Sequence, residues 1–566
     1  MSDTSRRPHK PGKPYRRPKK DPVRVLAFDA LRAVDERDAY ANLVLPPLLR
    51  KAREKGDFDG RDAALATELV YGTLRRQGTY DAIIAACVDR PLREVDPPVL
   101  DVLSLGVHQL LGTRIPTHAA VSASVELARV VLGDGRAKFV NAVLRKVAQD
   151  DLDGWIQRVA PPYDDDPEEH LAVVHSHPRW VVSALWDSLG GGRAGIEALL
   201  EADNERPEVT LVARPGRATT EELLGEEAAV AGRWSPYAVR LAEQFLGRGP
   251  PGPRDQGHLG PLVVGLQQRL DPRASAPERV PQRGDDPPRM RVHDGEMLLG
   301  IVVVRLTQGP VHTRGDDRVV RPLPPQRPVH QLGGERGVPP VEVALLPRLA
   351  QQRRQHEVGV RVALALANAP LDGPDAKWLD GCAGPGGKAA LLGALAAERG
   401  AMLLASEKQP HRAGLVAKAL HGNPGPYQVI AADGTRPPWR AGSFDRVLVD
   451  VPCTGLGALR RRPEARWRRR PEDLDGFAPL QRELLRNAID SVRVGGVVGY
   501  ATCSPHLAET RAVVDDVVKH GAEVELIDAR PLLGGVSELG EGPDVQLWPH
   551  VHGTDAMYLA LMRRVG

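Results

Sequence analysis

Two short strings hold residues from which covalent chemistry could be built. In Asp450-Val451-Pro452-Cys453-Thr454-Gly455 a carboxylate and a thiol close the apolar strand Arg446 to Asp450. In Gly499-Tyr500-Ala501-Thr502-Cys503-Ser504-Pro505 a second thiol follows the apolar, glycine-bearing run Val492 to Val498. A cysteine in a β-region is more often a small core hydrophobe than a nucleophile, so Cys503 alone argues for little. Both strings, however, fall where an apolar strand meets a loop, the edge at which open α/β sheets bind ligands. Asp450, Cys453 and Cys503 can therefore converge although they are far apart in the chain. Two converging cysteines without metal-ligand partners suggest covalent chemistry on an electron-poor ring. That chemistry needs a lowered thiol pKa, which Lys388 or helix N-termini could supply.

A third string places a ligand beside them. Trp378-Leu379-Asp380 begins a strand that leads into Gly381-Cys382-Ala383-Gly384-Pro385-Gly386-Gly387-Lys388, and helical residues Ala389 to Ala397 follow. A strand, a glycine-rich turn and a helix let backbone approach a ligand closely and aim amides at negative charge. The pattern is shared by many nucleotide binders. It is sharpened by Glu407 at the end of the next strand, suited to ribose hydroxyls, and by Asp433 at the end of the one after, suited to an adenine amine. That order fits S-adenosylmethionine. The competing reading makes these residues ordinary strand-end caps and turn residues.

The elements that must position these groups are strands alternating with helices, which means a doubly wound, mostly parallel α/β sheet over 361–566. Ahead of it, residues 21–150 repeat apolar positions at helical spacing, as in Val25, Phe28 and Leu31, and predict an all-α domain. Residues 170–241 contain the alternating strand Val209 to Arg214 closed by Pro215-Gly216 and predict a small α+β subdomain. His175-Ser176-His177-Pro178-Arg179-Trp180 is read as opening a helix. Its two histidines have no carboxylate or thiol cluster at ligand spacing, so no metal is expected. Residues 1–20 form a basic tail with nothing apolar to bury, expected to be disordered. Residues 246–360 contain no Phe, Trp, Tyr, Lys or Cys and are crowded with Pro, Arg, Gly and Gln. This span is an anomalous insertion expected to lack a core, either a disordered linker or GC-rich codons read in a wrong frame.

At 566 residues the chain exceeds one core. Its four cysteines are too scattered for a disulfide framework, and no apolar run approaches a membrane span, so a cytoplasmic monomer is expected. A net charge of +3 advertises no global attraction to nucleic acid, but Arg460 to Arg470 is a dense local run with Trp467 inside it. Cations beside an aromatic at the rim of the site suit a splayed RNA strand. The bland alternative is a solvated helix.

The strings Cys-Ala-Gly-Pro-Gly-Gly-Lys at 382 to 388, Asp-Val-Pro-Cys-Thr-Gly at 450 to 455 and Ala-Thr-Cys-Ser-Pro-His at 501 to 506 resemble the RNA cytosine-5 methyltransferases. The string Phe-Val-Asn-Ala-Val-Leu-Arg at 139 to 145 resembles the NusB-like RNA-binding fold. Together they look like the RsmB/Fmu (Sun) branch, which acts on 16S rRNA. The resemblance covers roughly Asp21 to Leu241 and Leu364 to Met562. It implies a multidomain chain with an all-α NusB-like N-terminal domain, a small α+β subdomain and a C-terminal α/β Rossmann-like, S-adenosylmethionine-dependent methyltransferase domain. It further implies that Cys503 attacks cytosine C6, that Cys453 assists product release, and that Asp450 hydrogen-bonds the ring near N3. Cofactor contacts would come from Cys382, Ala383, Gly384, Pro385, Gly386, Gly387, Lys388, Glu407, Asp433 and Asp450. Where the family carries Gln-Asp-x-x-Ser-Gln-Leu, this chain has His356-Glu357-Val358-Gly359-Val360-Arg361, so docking of the catalytic domain on the small subdomain is expected to differ. A second expectation, from another class, is an RNA-binding assembly factor with a vestigial methyltransferase domain.

Overall fold

The computed structural model describes residues 20–56, 58–207, parts of 210–241, Val302–Val303 and 357–566. The expected tail, apart from Lys20, and nearly all of 246–360 lie outside them.

Eight helices build the first core. They are α1 (Pro22–Glu36), α2 (Ala41–Glu54), α3 (Gly60–Arg75), α4 (Gln77–Cys87), α5 (Pro97–Leu111), α6 (Thr117–Leu132), α7 (Asp134–Val147) and α8 (Leu152–Val159). Local chemistry sets their ends. Asp21 caps α1 by accepting from the Val23 and Arg24 N–H groups, and Asp59 with Asp62 closes a reciprocal capping box on α3. Leu69, Ile83, Leu103, Leu105, Leu127 and Leu144 meet in their common interior.

A second group follows, α9 (Pro167–His175), α10 (Arg179–Leu189) and α11 (Arg193–Asn204), with an antiparallel sheet of β1 (Thr210–Val212), β2 (Ala229–Ala231) and β3 (Ala238–Leu241) in the order β1-β3-β2. The string His175 to Trp180 does open a helix, but only from Arg179. It ends α9, turns through the left-handed Ser176, and starts α10 at Arg179. Ser176 adopts φ 57° there. The α9–α11 core is not its own: Leu171, Val182, Leu185 and Leu199 pack on Leu456, Leu459 and Ala465 from the segment after Cys453.

The last unit is the sheet. In chain order it contains β4 (Val302–Val303), α12 (Glu357–Asn368), β5 (Lys377–Asp380), α13 (Gly387–Glu398), β6 (Met402–Glu407), α14 (Pro410–Leu420), β7 (Tyr427–Ala431), β8 (Phe444–Asp450), α15 (Ala465–Arg468), α16 (Asp473–Ser491), β9 (Val492–Thr502), α17 (Arg511–Lys519), β10 (Val524–Ile527), β11 (Val545–Leu547), α18 (Pro549–His552) and β12 (Met557–Arg564). The spatial order is β10-β12-β9-β8-β5-β6-β7-β4, parallel from β7 through β9, with β12 antiparallel against β9. Successive strand residues face opposite layers, as the period of two requires. Trp378, Leu448 and Leu559 lie with α12, α13 and α14 on one face, and Leu379, Val447, Tyr500 and Tyr558 lie with α16 and α17 on the other.

Three boundaries differ from the sequence reading. α12 starts at Glu357, inside the span assigned to the insertion. β7 ends at Ala431, leaving Asp433 in the following turn. β9 continues past Val498 to Thr502 because β12 supplies a second hydrogen-bonding partner from Val497 to Thr502. The small sheet docks on the catalytic unit: Val212 and Tyr237 pack on its core, and the Arg214 guanidinium donates to the Ala419 carbonyl at 2.7 Å.

Candidate functional site

The carboxyl ends of β5, β6, β8 and β9 lie side by side, and the residues singled out in the sequence stand on or just beyond them. At the end of β5 the turn folds on itself, Gly386 N–H donating to the Ala383 carbonyl at 2.7 Å and Ala383 N–H to Ser406 at 2.9 Å. Gly386, at φ +105°, could not carry a side chain even if relaxed, since a Cβ would lie 2.6 Å from Ala419 Cβ. Gly384 leaves room for Glu407, whose Oε2 accepts from Gly384 N–H at 3.1 Å and would lie 2.1 Å from an added Cβ. Cys382 and Pro385 complete the turn, Gly387 starts α13, and burial pushes the Cys382 thiol far up, leaving it an inert S–H. Asp433 accepts from Thr435 N–H at 3.0 Å and pairs with Lys408 at 2.8 Å. Burial opposes its charge, but Lys408 and Thr435 outweigh burial and hold its pKa below the usual value.

The two thiols meet. Cys453 Sγ and Cys503 Sγ are 3.4 Å apart. Their acidities diverge: a hydrogen bond from Cys453 lowers the pKa of Cys503, helped against burial and Asp450 by Lys388 and Arg461. The same bond, with burial and Glu509, raises that of Cys453. Lys388 reaches from the first turn of α13 to Asp450 Oδ2 at 2.8 Å. Burial opposes the lysine's charge, but Asp450 and Cys503 outweigh it and its pKa ends up raised. The arrangement is a thiolate next to a thiol, with a half-buried cation behind it and a carboxylate alongside.

Sequence reasoning missed two carboxylates here. Asp380, the last residue of β5, is 1% exposed, and neither of its oxygens has a hydrogen-bond partner among the described residues. Burial, then Asp450, raises its pKa to about 7. A charged residue ending an apolar strand just before the glycine turn was the signal. Glu509 is wholly buried between the two cysteine loops. It had no signal, lying in a polar segment past β9.

The arginine run is the correction. Neither the RNA rim nor the solvated helix describes it. Arg466 is fully buried and donates to Ser176 O and Asn204 Oδ1, both at 2.9 Å. Arg468 donates to Val34 O, Asp38 O and Ala39 O, Arg460 to Gly553 O, Arg461 to Asp555 and Arg469 to Thr454 O. Arg462 stacks over Tyr40 at 4.7 Å, and Glu464 accepts from Ala41 N–H at 3.0 Å. Carbonyls left bare at helix ends and loops are strong acceptors, and the run binds the three units together through them. Arg470 is left exposed.

Comparison with known proteins fits this architecture. The family described as 16S rRNA methyltransferase RsmB/F matches residues 365–563, and the NusB family matches 21–149. A Mycobacterium tuberculosis relative named as a methyltransferase is 44% identical over 553 residues, covering 98% of each chain. The chain belongs to the RsmB/F family. Another relative, ribosomal RNA small subunit methyltransferase B of Shewanella oneidensis, is 25% identical over 540 residues, covering 95% of this chain and 98% of its own. The crystal structure of PH0851 shares the fold, with a TM-score of 0.63 at 18% identity over 96% of this chain and 99% of that one. RsmB/F proteins are rRNA methyltransferases that use S-adenosylmethionine. The residues present fit that donor: Asp380 offers two unpaired oxygens, and the glycine turn leaves bare backbone beside Glu407. Among the described residues no group of three His, Cys, Asp or Glu could hold a metal, and no helix is long and apolar enough to cross a membrane.

Proposed function

We propose that this RsmB/F protein methylates C5 of a cytosine in 16S rRNA through a covalent adduct between Cys503 and C6 of the base. The single observation that carries the reading is the pair of thiols 3.4 Å apart with opposite pKa shifts, a geometry that serves one nucleophile and one proton-bearing partner.

The Cys503 thiolate adds to C6, and the electron pair of the C5–C6 double bond becomes available at C5. N3 takes up a proton from water and donates it in a hydrogen bond to Asp450, which Lys388 orients. Bound S-adenosylmethionine supplies an electrophilic methyl group to C5. Water takes the C5 proton, the electron pair it leaves restores the C5–C6 double bond and expels Cys503 as thiolate, and N3 returns its proton to water; the Cys453 S–H donates a hydrogen bond to the departing sulfur. The cofactor would be held by the backbone and side chains of Cys382 to Lys388, by Glu407 at the ribose, Asp433 at the adenine amine, and Asp450; Asp380 suits the ammonium of the methionine end. The target base must be unstacked to reach the thiol, so a loop or partly open rRNA is favoured over a duplex. Residues 21–150 and 170–241 would hold that RNA and 361–566 perform the chemistry.

The test is incubation with labelled S-adenosylmethionine and unmethylated 16S rRNA, followed by nuclease digestion to identify the modified base. Label in 5-methylcytosine is expected. RNA binding without transfer would replace this reading with that of an assembly factor carrying a vestigial domain. With Cys453→Ala a covalent protein–RNA adduct accumulates, and with Cys503→Ala none forms; an adduct without Cys503 reverses the assignment.

A further inference from the structure

Cys453 and Cys503 are chemically identical, half-buried and in contact, so something beyond their own chemistry must decide which is the thiolate. The cations Lys388 and Arg461 act on the Cys503 side. On the other side stands Glu509, wholly buried and assigned no role by the reading above. Its Oε1 accepts from Thr454 N–H at 2.9 Å and from Gln481 Nε2 at 3.0 Å, and its Oε2 accepts from the Thr454 hydroxyl. Three donors converging on two oxygens is the pattern of an ionised carboxylate. Thr454 follows Cys453 directly, its hydroxyl also lies 3.2 Å from Ser504 Oγ, and Ser504 follows Cys503. Gln481 in turn donates to Pro452 O at 2.8 Å, and Tyr500 donates its hydroxyl to Glu509 O at 2.7 Å. One carboxylate thus clasps the loop of the first thiol to the loop of the second and to α16.

We infer that Glu509 is a positioning residue that separates the roles of the two thiols: hydrogen-bonded to Thr454, it sets a fixed negative charge beside Cys453 and keeps that sulfur protonated as a donor to Cys503. The inference rests on the reading of Cys503 as nucleophile. Coulomb repulsion from a buried anion disfavours a second anion nearby, and Glu509 is among the causes that raise Cys453 but not among the leading ones for Cys503. The hydrogen bond between the sulfurs is the largest influence on both, Asp450 opposes the Cys503 thiolate and Thr502 favours a Cys453 thiolate, so Glu509, Lys388 and Arg461 serve to bias which sulfur donates that bond.

The experiment is pulse alkylation of the full-length protein with iodoacetamide from pH 6 to 10, with initial rates at each cysteine read by peptide mass spectrometry. No RNA or cofactor is needed, so the result stands whatever the transfer assay gives. In the unmodified protein Cys503 reacts ahead of Cys453 and titrates at lower pH; equal rates and equal titration would overturn the inference without any variant. Glu509→Gln keeps the shape and one acceptor but removes the charge, and lowers the Cys503-to-Cys453 rate ratio about tenfold at pH 8. Thr454→Val keeps the charge and breaks the hydroxyl link, and leaves the ratio near its original value. An unchanged ratio in Glu509→Gln, or an equal fall in both variants, would refute the charge assignment.

Discussion

Replacing Arg466 with methionine tests whether the arginine run holds the molecule together. The guanidinium is fully buried and donates to Ser176 O and Asn204 Oδ1 at 2.9 Å and to Asp203 O at 3.3 Å. Removing one member of such a buried charged network costs about 3–5 kcal/mol. Methionine refills part of the aliphatic volume, and Asp203, whose pKa burial already raises to about 7 against the pull of Arg466, can escape an uncompensated charge by keeping its proton. The cost at neutral pH therefore falls near the low end, about 3 kcal/mol, or roughly 10 °C in melting temperature. It also acquires a pH dependence. Without Arg466 the folded-state pKa of Asp203 rises further above its unfolded value, and a raised carboxyl pKa means stability that is lost as pH rises toward it. The penalty is larger at pH 8 than at pH 6. Calorimetry of the cofactor-free protein at both values, with limited proteolysis to detect release of the helical units from the sheet, measures it. Arg470→Met, at an exposed site, is the control and changes stability by less than about 0.5 kcal/mol. Wild-type stability in Arg466→Met combined with loss of RNA affinity would refute the structural role and restore the run as an RNA surface.

Lys388→Met removes a cation that favours the Cys503 thiolate, so alkylation of Cys503 at pH 8 slows about tenfold. Asp380 carries a folded pKa of about 7, so between about pH 4 and 7 the native state keeps a proton that the unfolded chain has lost, and stability falls as pH rises across that window. Asp380→Asn removes this share of the fall, seen as a raised melting temperature at pH 8 relative to wild type, and weakens S-adenosylmethionine binding by calorimetry. Gly78 lies within α4, where alanine would ordinarily help, but an added Cβ would sit 2.3 Å from Trp467 Cη2. Gly78→Ala therefore destabilises by about 1–3 kcal/mol in thermal melts, and a gain in stability would show that the indole yields freely.

How much of the site was legible depended on how local its chemistry is. The glycine turn, Glu407, Asp450, Cys453 and Cys503 each sit at or just past the end of an apolar strand, and the alternation of strands with helices makes those strands parallel, so their carboxyl ends share one edge. Their convergence on one edge was therefore readable from the chain. Asp380 was visible as a residue but not as an orphaned carboxylate, because whether a strand-end oxygen finds a partner is decided by the strands beside it. The docking of the small sheet through Val212, Tyr237 and Arg214 was not readable from the departure at 356–361.

The sequence by itself determined the two thiols, the carboxylate between strand and loop, and the turn in which only glycine fits at 386, since these depend on residue type at fixed local spacing. Only the tertiary structure decided that the thiols touch, that Glu509 clasps their loops, and that the arginines face inward. Charge density along a chain says nothing of what answers it: the carbonyl that receives Arg466 lies 290 residues away, and only the packed fold brings a bare helix end to a buried guanidinium.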